Sequence, residues 1–467
     1  MAAALGPDTL HLSVRALSEK IRKRELSPVD LTEACLERLE TTGPVLGAVI
    51  TVTRDLARKE AKAAREEVAA GSWRGPLHGI PYGVKDLLAT KGIPTTWGAE
   101  PYRDQVFDYD ATVVRRLREA GAVLVAKLAM VELAGGLGYN NADASFTGPG
   151  RTPWNLGFWS GGSSCGPAAA TAAGLVAFSI GSETSGSIIT PAAFSGVSGL
   201  RPTYGRVSRH GAMALCWTLD KLGPISRTAE DCGLVMAAIA GADPLDPTSV
   251  DRRWRPEEAG RRFRVGVIEG SAEKAQPAVK RNFEEAVKIL RGFCDVEEEV
   301  PFPDFPYGPA VSTIVNAEAA ASFRDLIESG GTQQLRAAND TWGGYPASMV
   351  LAVDYLQAMR LRAPVRRALD ALAARYDALV APSRETVAYP IGVDFDKAYP
   401  NVRGGPAVIP AGNLAGQPAL SVPNGFGENG LPTGIQFTGR AFSDEILVAI
   451  GAEYQRRTDW HLKRPPV

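Results

Sequence analysis

With 467 residues, 45% of them hydrophobic and 22% charged, the chain can bury a large core as one big domain or two to three ordinary ones. Its 51 basic and 52 acidic residues leave a net charge of -1, so no overall field draws it to nucleic acid or to an anionic membrane. Five cysteines (Cys35, Cys165, Cys216, Cys232, Cys294) contain no CxxC pair, and none of the four histidines (His11, His78, His210, His461) stands at metal-ligand spacing, so neither a disulfide framework nor a metal is expected.

From Met1 to Ala16 there is no basic segment followed by an apolar one, and the apolar stretch around Ala168 to Ile180 is too short and too rich in Ala and Gly to span a bilayer. A cytoplasmic protein is the expectation. Arg22, Lys23 and Arg24 read as a solvated helix face. Ser27-Pro28-Val29-Asp30 reads as an N-cap, a proline in the first turn and an early acid, and Leu31, Cys35 and Leu39 continue an amphipathic helix. In His78-Gly79-Ile80-Pro81-Tyr82-Gly83-Val84-Lys85-Asp86 a short strand ends on a lysine beside apolar residues. Asp110 opens a helix through Val113, Val114 and Leu117, Gly121 ends it, and Ala122 to Ala126 follows as a buried strand, the grammar of an α/β protein. Lys127 follows that strand as a second candidate base. The Gly135-Gly136-Leu137-Gly138-Tyr139-Asn140 turn is a candidate for the acyl pocket.

From Trp159 to Arg206 the sequence reads WSGGSSCGPAAATAAGLVAFSIGSETSGSIITPAAFSGVSGLRPTYGR. A helix from Pro167 to Ala173, a strand from Leu175 to Ile180 and a helix continuing at Pro191 leave two Ser/Gly turns at adjacent element ends. Unpaired N–H groups at such a turn can face an oxyanion, and Gly186 lets the chain approach a carbonyl. A serine needs a base, and histidine is scarce. Burial of Lys85 would lower its pKa and supply a neutral amine, whereas the segment read alone favours a surface or salt-bridged lysine held by Asp86. Further on, Glu297, Glu298 and Glu299 read as surface, Asp220 and Arg201 as internal polar contacts, and Pro301 to Tyr399 as a region with helical stretches such as Met349 to Leu372 and a part in the substrate wall. Ala419 to Val422 and Gly434 to Phe437 read as strands, and Glu445 to Arg457 as the closing helix.

These segments resemble the amidase signature family: GIPYGVKD its lysine strand, GGSSCG its first serine turn, GSETSGS its nucleophile turn, AAFSGVSGLRPTYGRVS the segment that follows, with LDKLGPISRTAEDC and GLPTGIQFTG extending the match. The resemblance implies an α/β fold with a large mixed sheet sandwiched between helices, a single domain over 1–467 with its core in 60–240 and 405–467 and a variable wall in 300–400. It implies Ser187 as nucleophile, Ser163 as bridge in a cis peptide and Lys85 as base. The N–H groups of Thr184, Ser185, Gly186 and Ser187 form the oxyanion hole, and Gly136, Tyr139, Asn140 and Ile189 contact substrate. Cys165 stands where the family has glycine, Glu183 where it has aspartate, and Ile189 where arginine often stands; Ile189 with Phe158-Trp159 favours an uncharged or aryl substrate over a carboxylate-bearing one.

The activity implied is hydrolysis of a C–N acyl bond in an amide or carbamate (urethane), or of an aryl ester, by a standalone, urethanase-like amidase without cofactor. Its partners would be small-molecule substrates, with no nucleic acid and no membrane, and a homodimer is the assembly to test. Two other readings stand beside it. One is the glutaminase subunit of a tRNA-dependent amidotransferase. The other is an α/β-hydrolase elbow, Gly162-Ser163-Ser164-Cys165-Gly166, with Ser164 as nucleophile and His461 as base.

Overall fold

A computed structural model describes residues 5–257, 260–402 and 405–467. The expectation about a leader falls partly on residues 1–4, outside them. Among the described residues no helix is long and apolar enough to cross a membrane.

Eleven strands form one mixed sheet: β1 (Val49–Val52), β2 (Pro81–Lys85), β3 (Val123–Leu128), β4 (Phe178–Glu183), β5 (Ser198–Arg201), β6 (Lys221–Ser226), β7 (Phe263–Ile268), β8 (Cys294–Val300), β9 (Ala378–Pro382), β10 (Ala419–Phe426) and β11 (Pro432–Thr438). Their order is β1-β3-β2-β4-β6-β5-β10-β11-β9-β7-β8. β2 runs parallel to both β3 and β4, and β7 parallel to β8 and β9; the other pairs are antiparallel. The apolar run in β3 is packed on both of its faces. Val123 and Val125 meet Leu36, Leu39, Ala57 and Ala61 of helices Pro28–Thr41 and Arg54–Ala69 on one, and Leu124 meets Ile80, Val113 and Leu117 on the other. A strand covered on both sides cannot alternate, which is why it reads as continuous apolar sequence. The edge strand β8 carries half-buried Glu297 and exposed Asp295, Glu298 and Glu299, charges that keep the edge from pairing with another chain.

Local signals hold near the termini. Ser27 Oγ accepts from the N–H groups of Val29 and Asp30 and caps helix Pro28–Thr41, and Asp444–Arg456 forms the closing helix. Arg22, Lys23 and Arg24 are exposed, and all five cysteines are buried and free. Two expectations are corrected. The strand expected at Leu175–Ile180 lies at Phe178–Glu183, because the polar residues Ser179, Ser182 and Glu183 find buried partners that the apolar pattern does not reveal. The helix expected at Met349 to Leu372 starts at Ala352. The region 301–399 around it also contributes β9, paired with β11 and β7, and helices Tyr307–Ser322 and Ala338–Ala347.

Candidate active site

Because β2 and β4 are parallel neighbours, their C-terminal ends lie side by side, and the sequence places Lys85 at one end and Ser182-Glu183 at the other. This is where open α/β sheets gather their chemistry. Lys85 has no exposed surface, and its Nζ lies 2.7 Å from Ser163 Oγ and 2.9 Å from Ser182 Oγ. Burial pulls its pKa down to about 7, against smaller opposing pulls from Cys165, Asp220 and Glu183. The neutral amine is therefore accessible near neutral pH.

Asp86, next in sequence, does not hold Lys85. Successive strand residues point to opposite faces, and Asp86 lies 3.1 Å from Lys127 Nζ while its other oxygen accepts from the N–H (2.9 Å) and the hydroxyl of Thr96. Lys127 also donates to Thr95 Oγ1 at 2.6 Å, so the second candidate base is engaged in a buried pair. Breaking that pair by Lys127→Met strands a buried carboxylate and is expected to cost about 3–5 kcal/mol in chemical denaturation. Unchanged stability would show that the pair carries no structural load.

Ser163 and Ser164 precede helix Cys165–Ala172, and the Gly162–Ser163 peptide is cis, as the resemblance implies. A Cβ on Gly162 would come 2.4 Å from the Trp159 ring, so only glycine admits Trp159 against this turn. Ser164 Oγ donates to the Ser182 carbonyl (3.2 Å) and accepts from its N–H (3.3 Å). The elbow reading fails on this geometry: Ser164 is tied to a strand end, no strand precedes Gly162 among the neighbouring described residues, and His461 sits in the terminal turn Trp460–Leu462. His461→Ala is accordingly expected to keep activity within about threefold, and its loss in a rate assay would revive that reading.

The second turn, Thr184 to Ser187, joins β4 to helix Ile189–Ser195. Ser187 is half-buried, and its carbonyl accepts from the Ser164 N–H at 3.3 Å, so the two serine turns are stitched together. The N–H groups of Thr184, Ser185, Gly186 and Ser187 donate to no acceptor among the described residues, and Gly186 takes φ 90°, open to glycine alone. Glu183 fixes the turn from below. Its Oε2 accepts from the N–H groups of Ile188 (2.8 Å) and Ile189 (3.0 Å), and its Oε1 from Arg201 (3.0 Å) and Asn413 (2.8 Å). Burial opposes its charge, yet Arg201, Asn413 and these N–H groups hold its pKa at about 2. Asp220 accepts from Thr184 Oγ1 (2.6 Å) and from the Leu215 and Cys216 N–H groups (both 2.9 Å), bracing the turn from the side. Arg201 and Asp220 are thus the internal polar contacts expected of them.

A narrow cavity opens beside Ser182 and Thr184, walled by Leu87, Ala134, Met213 and Leu222. A core cluster of aromatic rings backs the Ser163 turn: Trp159 stacks on Phe395 (4.7 Å), Tyr139 meets both edge-on (6.0 and 5.7 Å), and Tyr389 lies 4.9 Å from Phe395. Of the other substrate-contact candidates, Gly136 and Ile189 are buried, and Asn140 is half-buried with Nδ2 bonded to Asp396 at 3.1 Å. Sequence reasoning did not find Ser182, Asn413, Tyr389 or Phe395. Ser182 stood in a turn already marked by its serines, and the density of aromatics in Tyr389-Pro390-Ile391-Gly392-Val393-Asp394-Phe395 was the available signal for the last two.

The structure thus brings a buried lysine and two serine turns together at neighbouring strand ends of a mixed sheet covered on both faces. The family model described as Amidase matches residues 30–448, and the chain belongs to this amidase (amidase signature) family of enzymes acting on C–N bonds. It is 38% identical to a glutamyl-tRNA(Gln) amidotransferase subunit of Roseiflexus sp. (strain RS-1), over 97% of this chain and 98% of that one. Among solved structures it is similar to a protein from work on a vestigial protein complex and the evolutionary origins of an s-triazine catabolic enzyme (30% identity, 96% and 98% coverage, TM-score 0.88). It is also similar to the native peptide amidase of Stenotrophomonas maltophilia (32% identity, 97% and 98% coverage, TM-score 0.84).

Proposed function

We propose that this chain hydrolyses the C–N acyl bond of an uncharged, aryl-bearing amide or carbamate through an acyl-enzyme on Ser187. The observation that carries this reading is the buried Lys85 amine at hydrogen-bond distance from Ser163 with no carboxylate partner of its own among the described residues. In the proposed step Ser187 Oγ attacks the carbonyl carbon, its proton passes to Ser163 Oγ, and the Ser163 proton passes to neutral Lys85. The four N–H groups of residues 184–187 receive the oxyanion. Collapse breaks the C–N bond, and the nitrogen takes the proton back along the same path. Water then repeats the sequence on the acyl ester, returning Ser187 and releasing the acid, which for a carbamate loses carbon dioxide. The substrate class rests on the cavity beside Thr184, whose lining joins Leu87, Ala134, Met213 and Leu222 to Arg209 and to an Asp220 already bonded to Thr184, and on the aromatic cluster behind Ser163; neither offers an unengaged carboxylate to an ammonium-bearing substrate.

A second reading is a glutaminase that works within a complex of several chains. The name of the Roseiflexus relative favours it, and that sequence likeness supports it more strongly than it supports a standalone, urethanase-like enzyme. The similarity to a peptide amidase supports the standalone role. The purified chain, alone, is offered a p-nitroanilide, an aryl carbamate and glutamine. Release of nitroaniline or arylamine by the chain alone is the expected result. Ammonia from glutamine, with both aryl substrates untouched, would establish the second reading instead.

A further inference from the structure

The cavity beside the nucleophile turn has one wall that the proposed chemistry does not use. Its lining includes Ser182, whose hydroxyl lies 2.9 Å from Lys85 Nζ, and Thr184 of the turn itself, so a molecule held for attack borders this space. The same lining includes Trp217, from the loop that joins β5 to β6. Trp217 keeps 51% of its surface exposed, whereas Leu87, Met213 and Leu222 around the cavity are buried. The indole therefore stands where the cavity meets solvent.

The main chain on both sides of this ring is tied down. The N–H groups of Leu215 and Cys216 donate to Asp220 at 2.9 Å, and the N–H and hydroxyl of Thr218 donate to the two carboxylate oxygens of Glu318 at 2.9 and 2.8 Å. The Thr218 carbonyl accepts from Arg362 at 3.2 Å, and the Trp217 carbonyl accepts from Arg209 and, at 3.1 Å, from the Tyr204 hydroxyl. Glu318 and Arg362 reach the loop from helices Tyr307–Ser322 and Ala352–Ala373, so two outer elements hold it in place. The indole itself rests on the Arg209 guanidinium, 4.6 Å from its ring, which also donates to Thr248 Oγ1 at 2.7 Å. A loop that must break all these bonds to move leaves the width of the mouth to the side chain at position 217.

We propose that Trp217 is a specificity-determining residue: its indole sets the size limit of the substrate group bound in the cavity beside Thr184, and a smaller side chain there admits a longer apolar group through the mouth. The group accepted by the unaltered chain is compact and apolar, to match the walls of Leu87, Ala134, Met213 and Leu222. The ring acts by exclusion. It takes no part in the proton path from Ser187 to Lys85, so its effect falls on which molecules bind and not on how the bound bond is broken. This inference rests on the amidase reading for what occupies the cavity.

The test uses the full chain carrying Ser187→Ala, so that amides remain uncleaved, and measures affinities by ligand-observed NMR for two matched pairs: 4-butylbenzamide with benzamide, and N-(4-butylphenyl)acetamide with acetanilide. With Trp217 in place the butyl members are expected to bind no more tightly than their parents, although each carries four more apolar carbons to bury. In at least one pair, adding Trp217→Ala shifts the affinity ratio about tenfold or more toward the butyl member, and Trp217→Phe, intermediate in size, shifts it less. In the active chain the same shift is expected in KM rather than in kcat. A ratio that Trp217→Ala leaves unmoved in both pairs, including one where both members weaken together, overturns the proposal. So does a butyl member bound tenfold tighter than its parent while Trp217 is present. Turnover of acetanilide or benzamide by the unaltered chain reports separately on the amidase reading, which can fail while the shift in affinity stands.

Discussion

Replacing Ser187 with alanine is expected to lower kcat/KM for any substrate the chain hydrolyses by roughly 10⁴-fold or more, with the melting temperature unchanged within a degree or two. The serine is half-buried, and among the described residues only its main chain is drawn into the surrounding network, through the Ser164 N–H. Removing one oxygen there strands no buried partner. The turn itself is held by Glu183 and Asp220, which do not depend on the Ser187 side chain. An effect of this size on rate, with so little on stability, distinguishes a nucleophile from a structural serine. Steady-state kinetics beside thermal unfolding measures both, and retention of a tenth of the activity would remove Ser187 from the mechanism.

Lys85→Met is expected to lower kcat by about 10³-fold, within the range a positioned base contributes, and to change the shape of the pH profile. In the unaltered chain the active form is the neutral amine, so activity rises with pH through an apparent pKa of about 7 set by burial. The variant loses that acid limb. Stability of the unaltered chain also rises with pH. The unfolded chain holds this proton up to about 10.5 and the folded chain releases it above about 7, so the folded state carries the full penalty below about pH 7 and progressively less as pH rises toward 10.5. At pH 7 the methionine variant, relieved of a buried amine, is expected to unfold a few degrees higher than its parent. A lower melting temperature and an intact acid limb would together assign Lys85 a purely structural role.

How far the site could be read from the chain depended on how local its parts are. Ser163 and Ser187 fall in short turns whose glycines and serines have few other uses, Lys85 ends a short strand, and the structure puts Lys85 against Ser163 across 78 positions of sequence. Asp86 shows the limit. Adjacent in sequence, it reads as the natural partner of Lys85, and only the pleat of β2 and the pairing of β2 with β3 send it to Lys127. The same holds for β4. Its apolar start suggested a strand ending at Ile180, while the continuation through Ser182 and Glu183 is stabilised by Ser164, Arg201 and Asn413. The cluster of Tyr389 and Phe395 lay in the stretch from Pro301 to Tyr399 where turns and helices carry no period, and its place comes from the packing of Phe395 against Trp159, more than two hundred residues away. Strand β8 went unread for a related reason: it is an acidic edge.

At the centre of the proposed mechanism a neutral Lys85 activates Ser187 through Ser163. Labelling by a fluorophosphonate, followed by peptide mass spectrometry across pH 5 to 9, tests this most directly. The expected result is a single adduct on Ser187, formed at a rate that rises through an apparent pKa of about 7 and is flat and slow in Lys85→Met. An adduct on Ser164 or Cys165, or a Ser187 adduct formed equally fast without Lys85, would contradict it.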